Sequence, residues 1–103
     1  MKYLITESQL DKAIFKYLDN QDFIQIEKGD YIYFVNSEND EFAPIRYDKD
    51  ENWCNIDYEL IQEIYDFFSL EFGYGEQVIS KWVEDTLQMN VKRNSVYLSI
   101  STN

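Results

Sequence analysis

Carboxylates dominate the side chains here that could do chemistry, and they are concentrated. Residues 38–76 hold twelve acids: Glu38, Asp40, Glu41, Asp48, Asp50, Glu51, Asp57, Glu59, Glu63, Asp66, Glu71 and Glu76. Only Arg46 and Lys49 oppose them, which leaves −10 in this stretch against −11 for the whole chain. The remainder is therefore nearly neutral. Carboxylates gathered on a folded body can bind a hard cation, meet a basic protein surface, or act in pairs as acid and base.

The other residue types narrow that choice. The chain has no His and one Cys. This removes the usual general base, the Ser-His and Cys-His nucleophile pairs, and zinc held by Cys clusters. Cys54 beside Trp53 reads as a small core residue. Gly73-Tyr74-Gly75 lacks the third glycine and the preceding strand of a dinucleotide loop. The carboxylates alone keep a glycosidase-like or two-metal site open by residue type. A single small domain seldom builds such a cleft, so the expectation is a non-enzyme without a cofactor.

One spacing suggests a metal. Asp48, Asp50, Asn52 and Glu59 stand at positions 1, 3, 5 and 12 of an EF-hand-like loop. Position 6 should be Gly and is Trp53, and residues 42–47 read as a strand where a helix should enter. The alternative is a solvated acidic turn leading into a helix. Calcium is thus a weak candidate on these four residues.

These side chains need elements to hold them. With 103 residues, 45% hydrophobic and 17% aromatic, the chain reads as one folded domain over 1–103 and not as an acidic disordered tail. Residues 3–5 form a short apolar run. Thr6 and Gln9 fit a capping box for a helix over about 7–20, with Leu10, Ala13, Ile14, Tyr17 and Leu18 on one face. Residues 23–28 and 31–35 flank Gly29-Asp30, which predicts a hairpin with a type II′ turn. The second of these strands is apolar on both faces and so is placed centrally. Residues 36–41 form a polar loop. A third strand spans 42–47, with Pro44 arguing for an edge position. Residues 48–52 turn, and 53–56 form a short fourth strand. Asp57 caps a helix over about 58–70, with Leu60, Ile61, Ile64, Tyr65, Phe67 and Phe68 inward. Gly73 and Gly75 break it. A third helix spans about 76–88, with Val78, Ile79, Trp82, Val83 and Leu87 inward, and 91–100 returns as a strand. The expected class is α+β: a small antiparallel sheet of about four strands packed against three helices.

The opening Met1-Lys2 followed by Ile5-Thr6-Glu7-Ser8-Gln9 resembles small uncharacterised proteins of marine tailed phages. The run Val78-Ile79-Ser80-Lys81-Trp82-Val83-Glu84, with Val91-Lys92 soon after, is similar to the same group. The resemblance covers the two ends and not the acidic middle. It implies a viral source and carries no activity with it.

A net charge of −11 disfavours direct nucleic-acid binding and anionic membranes. No stretch reaches the length of a membrane span, no signal-peptide core is visible, and one Cys suits a reducing compartment. The expected location is the cytoplasm, that of the host if a phage encodes the chain. The charged partner that fits is the basic surface of a protein. An acidic array can imitate the charge of duplex DNA and occupy a basic groove. Phage inhibitors of host defence, such as anti-CRISPR proteins, are often short, acidic and poor in His. The expectation is therefore a protein-binding inhibitor of a nucleic-acid-binding defence complex, by DNA mimicry or steric block. Glu38, Asp40, Glu41, Asp48, Asp50, Glu51, Glu59, Glu63 and Asp66 would supply the charge on adjacent loop tips and a helix face. Tyr47, Trp53 and Tyr58 would be nearby anchors. Two alternatives stay open: a merely solubilising acidic surface, and a phage structural or accessory protein that uses aromatic contacts, including a homodimer paired through a sheet edge.

Overall fold

The structure is a computed structural model. It describes residues 7–70 and 73–102, with Glu7 by its backbone alone. The apolar run 3–5, the Thr6 side of the capping box and Glu71 lie outside the described residues.

Helix α1 (Glu7–Asp19) buries Ile14 and Leu18 and packs Leu10 and Tyr17 against the same core. Ala13, expected on that face, is exposed. Strands β1 (Ile24–Lys28) and β2 (Tyr31–Val35) pair antiparallel across Gly29-Asp30. Gly29 has φ +59° and Asp30 is not in the left-handed region, as a type II′ turn requires. β2 is central as its sequence predicts. Ile32 and Phe34 face the helices, while Tyr33 and Val35 face a second cluster with Ala43 and Ile100. Ile24 is 36% exposed on β1, which is an edge strand.

The predicted third strand is divided. β3 (Phe42–Ala43) and β4 (Ile45–Asp48) lie in different sheets, with Pro44 between them. β4 is internal, between β2 and β5 (Trp53–Asp57), so the edge assignment fails. Proline has no N–H to give a ladder, and here it occupies the crossing point where none is needed. Its carbonyl still accepts the Asp57 amide at 2.8 Å.

Helix α2 (Tyr58–Phe68) follows β5 directly. Asp57 caps it as expected, with Oδ2 accepting the Glu59 amide at 3.1 Å. Leu60, Ile61 and Ile64 are buried, but Phe67 is 70% exposed. Helix α3 (Tyr74–Leu87) starts two residues earlier than the glycines suggest. Gly73 is its N-cap at φ +88°, and Gly75 lies inside it, buried. A Cβ at Gly75 would stand 3.0 Å from Ile61 Cδ1. The glycine therefore serves close α2–α3 approach, and does not break a helix there. Val78, Ile79, Trp82 and Val83 are buried as their spacing predicts, with Leu87 partly so.

The predicted strand 91–100 is also two strands. β6 (Arg93–Tyr97) closes the five-stranded sheet, and β7 (Ile100–Ser101) pairs with β3. β6 runs parallel to β5, so the sheet is mixed where an antiparallel one was expected. The intervening α2 and α3 form the crossover that parallel neighbours need. The strand order is β1-β2-β4-β5-β6, with β3-β7 as a small second sheet on the face opposite the helices. The class, α+β with three helices, matches the sequence expectation, and the strand count is higher among the described residues.

Candidate functional site: an acidic cleft beside helix α2

β2 and β5 run in the same direction, since each is antiparallel to β4. Their ends therefore lie at one end of the sheet. There the loop 36–41 leaves β2 and α2 leaves β5. Between them is a cleft of about 220 Å³, bordered by Asn36 and Phe42 on one side and by Asp57, Glu59 and Glu63 on the other. Glu59 and Glu63 are four apart on α2, which puts both on one stripe.

Several local interactions shape this end. Asp40 Oδ2 accepts the amides of Asn36 and Ser37 at 3.0 Å each, folding the loop on itself. Thr102 donates its amide to the Glu41 carbonyl at 2.9 Å, and its hydroxyl lies 2.9 Å from the Asp40 carbonyl, tying the loop to the C-terminal strand. Asp57 does two jobs. Oδ2 caps α2, while Oδ1 accepts the amides of Ser99 at 2.7 Å and Ile100 at 3.3 Å. Glu38 and Glu41 are exposed on the loop, and Glu59, Glu63 and Asp66 are exposed along α2. Asp66 accepts from Gln62 at 3.1 Å, beyond the cleft.

Lys28 Nζ reaches the Thr102 carbonyl at 3.1 Å, but no cation among the described residues forms an ion pair with a carboxylate at this end. Among the described residues the ion pairs are Lys49–Glu27, Lys81–Asp11 and Arg93–Glu51. None reaches Glu38, Asp40, Glu41, Asp57, Glu59 or Glu63. The Tyr17 hydroxyl, 3.3 Å from Glu63, has its pKa raised by partial burial and by that carboxylate. A negative site with an exposed aromatic at its lip can take a Lys or Arg side chain: carboxylates for the charge, and the 54%-exposed Phe42 for the stem or the cation.

The other predicted acids are elsewhere. Asp48, Asp50 and Glu51 sit in the β4–β5 turn at the opposite end of the sheet, so the acids do not share adjacent loop tips. Five residues of β5 at about 3.3 Å each separate the two ends by roughly 16 Å. Asp48 Oδ1 is occupied by the amides of Asp50 and Glu51 at 3.0 and 3.2 Å. Glu51 pairs with Arg93 at 3.3 Å. This separation also overturns the calcium candidate. β5 carries Glu59 away from Asp48 and Asp50 to the other end of the sheet. No group of three or more His, Cys, Asp or Glu side chains among the described residues could hold a metal ion.

The aromatic anchors divide likewise. Tyr47 is fully buried and donates to the Asn90 carbonyl at 2.5 Å, so it cannot be a surface anchor. Trp53 is half-buried under the Arg93 guanidinium, 4.2 Å from its ring, with its N–H donated to Ser95 Oγ at 3.0 Å. Tyr58 is exposed but borders a different, apolar cleft. Sequence reasoning missed Phe42. Its available signal was a large apolar residue directly after an acidic loop and two before a proline.

Cys54 sits on the inner face of β5. Burial pushes its thiol up to about 12, against a hydrogen bond from Ser80 that pulls the other way. The thiol is therefore protonated at neutral pH and a poor nucleophile. Iodoacetamide at pH 8 is expected to leave the native protein unlabelled and to label it fully in urea. Rapid native labelling would refute the assignment. A folded pKa raised from 9.0 to about 12 gives stabilisation that is intact below pH 9 and lost as pH climbs towards 12. Tyr65, raised mainly by burial and then by its bond to Glu76, acts in the same direction.

No described helix is long and apolar enough to cross a membrane. No protein-family model matches the chain, and neither a curated protein nor a solved structure does.

Proposed function

We propose that the chain is a non-enzymatic protein-binding domain that receives a basic protein surface at the cleft between the loop 36–41 and α2. The observation that supports this is the set of carboxylates at that end, Glu38, Asp40, Glu41, Asp57, Glu59 and Glu63, none of which is in an ion pair among the described residues. Such charge left unpaired favours association with Lys- and Arg-rich surfaces and steers it at long range. In its sharper form, the partner is a nucleic-acid-binding protein of a host defence complex. Its groove for phosphates would be filled by these carboxylates, by mimicry of DNA or by steric block.

A pull-down from a bacterial lysate at low salt tests both forms. The expected result is a nucleic-acid-binding protein, released by a moderate salt gradient and displaced by duplex DNA. A partner retained at high salt and indifferent to DNA would sink the proposal.

A further inference from the structure

The two walls of the acidic cleft come from separate parts of the chain. Phe42 and Ala43 border one side, Asp57, Glu59 and Glu63 the other, with Pro44 between them. One link between the walls is the Asp57 amide on the Pro44 carbonyl at 2.8 Å. A second link is residues 99–102, which reach from one wall to the other. At the α2 end, Asp57 Oδ1 accepts the amides of Ser99 and Ile100 at 2.7 and 3.3 Å. At the loop end, Thr102 gives its amide to the Glu41 carbonyl at 2.9 Å and sets its hydroxyl 2.9 Å from the Asp40 carbonyl. Between these points Ile100 and Ser101 pair with Ala43 and Phe42.

Few contacts hold this crossing. β3 and β7 have two residues each, and a two-stranded ribbon is marginal by itself. Ile100, 4% exposed, is the apolar anchor, set against Tyr33, Val35 and Ala43. Ser99 enters at φ +61°, a region that residues other than Gly, Asn and Asp seldom adopt. Lys28 Nζ adds a bond to the Thr102 carbonyl at 3.1 Å. A segment attached in this way opens at a lower free energy than the five-stranded core. Its opening frees Asp57 Oδ1 and the carbonyls of Asp40 and Glu41 together, because all of them are bonded to the same short segment.

We infer that residues 99–102 are a strap that sets the separation of the cleft's walls, with Asp57 as its release point. Docked, the strap holds β3 and the loop 36–41 against the start of α2. Undocked, the loop keeps its internal bonds to Asp40 and the contact of Pro44 with Asp57, and Phe42 is released from its ladder. Docking of the strap and occupation of the cleft are therefore linked. A ligand that needs the docked width stabilises the strap, and a loosened strap weakens that ligand by the same factor. The strap acts on the shape of the cleft, whatever the cleft binds.

Asp57→Ser separates the two jobs of this carboxylate. A serine still caps a helix, but its single short hydroxyl cannot also hold the amides of Ser99 and Ile100. In this variant the Thr102 amide is expected to exchange with deuterium at least about tenfold faster than in the wild type. The amides of β2 and β4 should exchange as before, and the circular dichroism spectrum should not change. Nitroxides at Asn39→Cys on the loop and Gln62→Cys on α2, with Cys54 buried, should report a longer and broader distance when Asp57→Ser is added. Thr102→Val removes the hydroxyl at the other end of the strap and leaves the cap of α2 untouched. It should lengthen the same distance, and it is the deciding variant if Asp57→Ser loses helical signal. A Thr102 amide that exchanges at the wild-type rate in a fully helical Asp57→Ser protein would overturn the inference. So would a distance between loop and helix that neither variant changes.

Discussion

Replacing Trp82 by alanine is expected to remove about 3–5 kcal/mol of stability. The side chain is only 5% exposed on α3. Its ring lies 5.3 Å from Phe34 of β2 and 5.9 Å from Phe23, and those two rings are 6.4 Å apart. Its N–H donates to Asp19 Oδ1 of α1 at 2.9 Å. One residue thus joins α3 to the sheet and to the first helix. Alanine would leave a cavity that three elements must collapse to fill. A domain of this size has about 5–15 kcal/mol in all, so the loss takes a large share of it. In urea the midpoint should fall by roughly 2 M at an m-value of about 1–3 kcal/mol/M. Trp82→Phe keeps a ring and loses the bond to Asp19, and should cost about 1 kcal/mol or a little more. If alanine costs less than about 1 kcal/mol, the three-ring cluster is not central to the core.

The second large effect concerns binding. Glu59→Lys with Glu63→Lys should weaken capture of a basic partner by at least about 100-fold, because like charges brought together cost several kcal/mol. The matched control is Asp50→Lys with Glu51→Lys. It changes the net charge by the same +4 but acts at the other end of the sheet, where Glu51 already pairs with Arg93. The control should keep affinity within about tenfold. Equal losses from the two pairs would mean that net charge matters and the cleft does not. Loss of helix signal would be a separate matter, since Glu59 in the first turn also favours the helix N-terminus by about 0.3–1 kcal/mol.

Much of this architecture is legible in the sequence. The helical spacing of Val78, Ile79, Trp82 and Val83 marks the buried face of α3. Gly29-Asp30 marks the β1–β2 hairpin, and Asp57 marks the cap of α2. What escapes is what depends on distant neighbours. Gly75 looks like a breaker, yet it is small because Ile61 of another helix presses on it. Pro44 looks like an edge residue, yet it sits where the chain passes from one sheet to another. β6 is short and polar, and nothing in Arg93-Asn94-Ser95 names β5 as its parallel partner. The acids were legible as a group but not as two groups, because β4 and β5 divide them by running in opposite directions. Tyr47 shows that strand parity outranks residue type. It shares the side of Ile45, and is buried with it.

The parallel pairing of β5 with β6 also orders events during synthesis. β1, β2, β4 and β5 are neighbours in sequence and can pair by local turns as they emerge. The strand that flanks β5 comes only after two helices, at Arg93–Tyr97. At about 5–20 residues per second, the forty residues from 57 to 97 take roughly 2–8 s. For those seconds β5, with Cys54 and Ile56 on its apolar side, is the rim of an unfinished sheet. An unpaired strand of that kind can template pairing with another nascent chain. The late arrival of β6 ends the exposure by replacing an apolar rim with one that carries Arg93, Asn94 and Ser95.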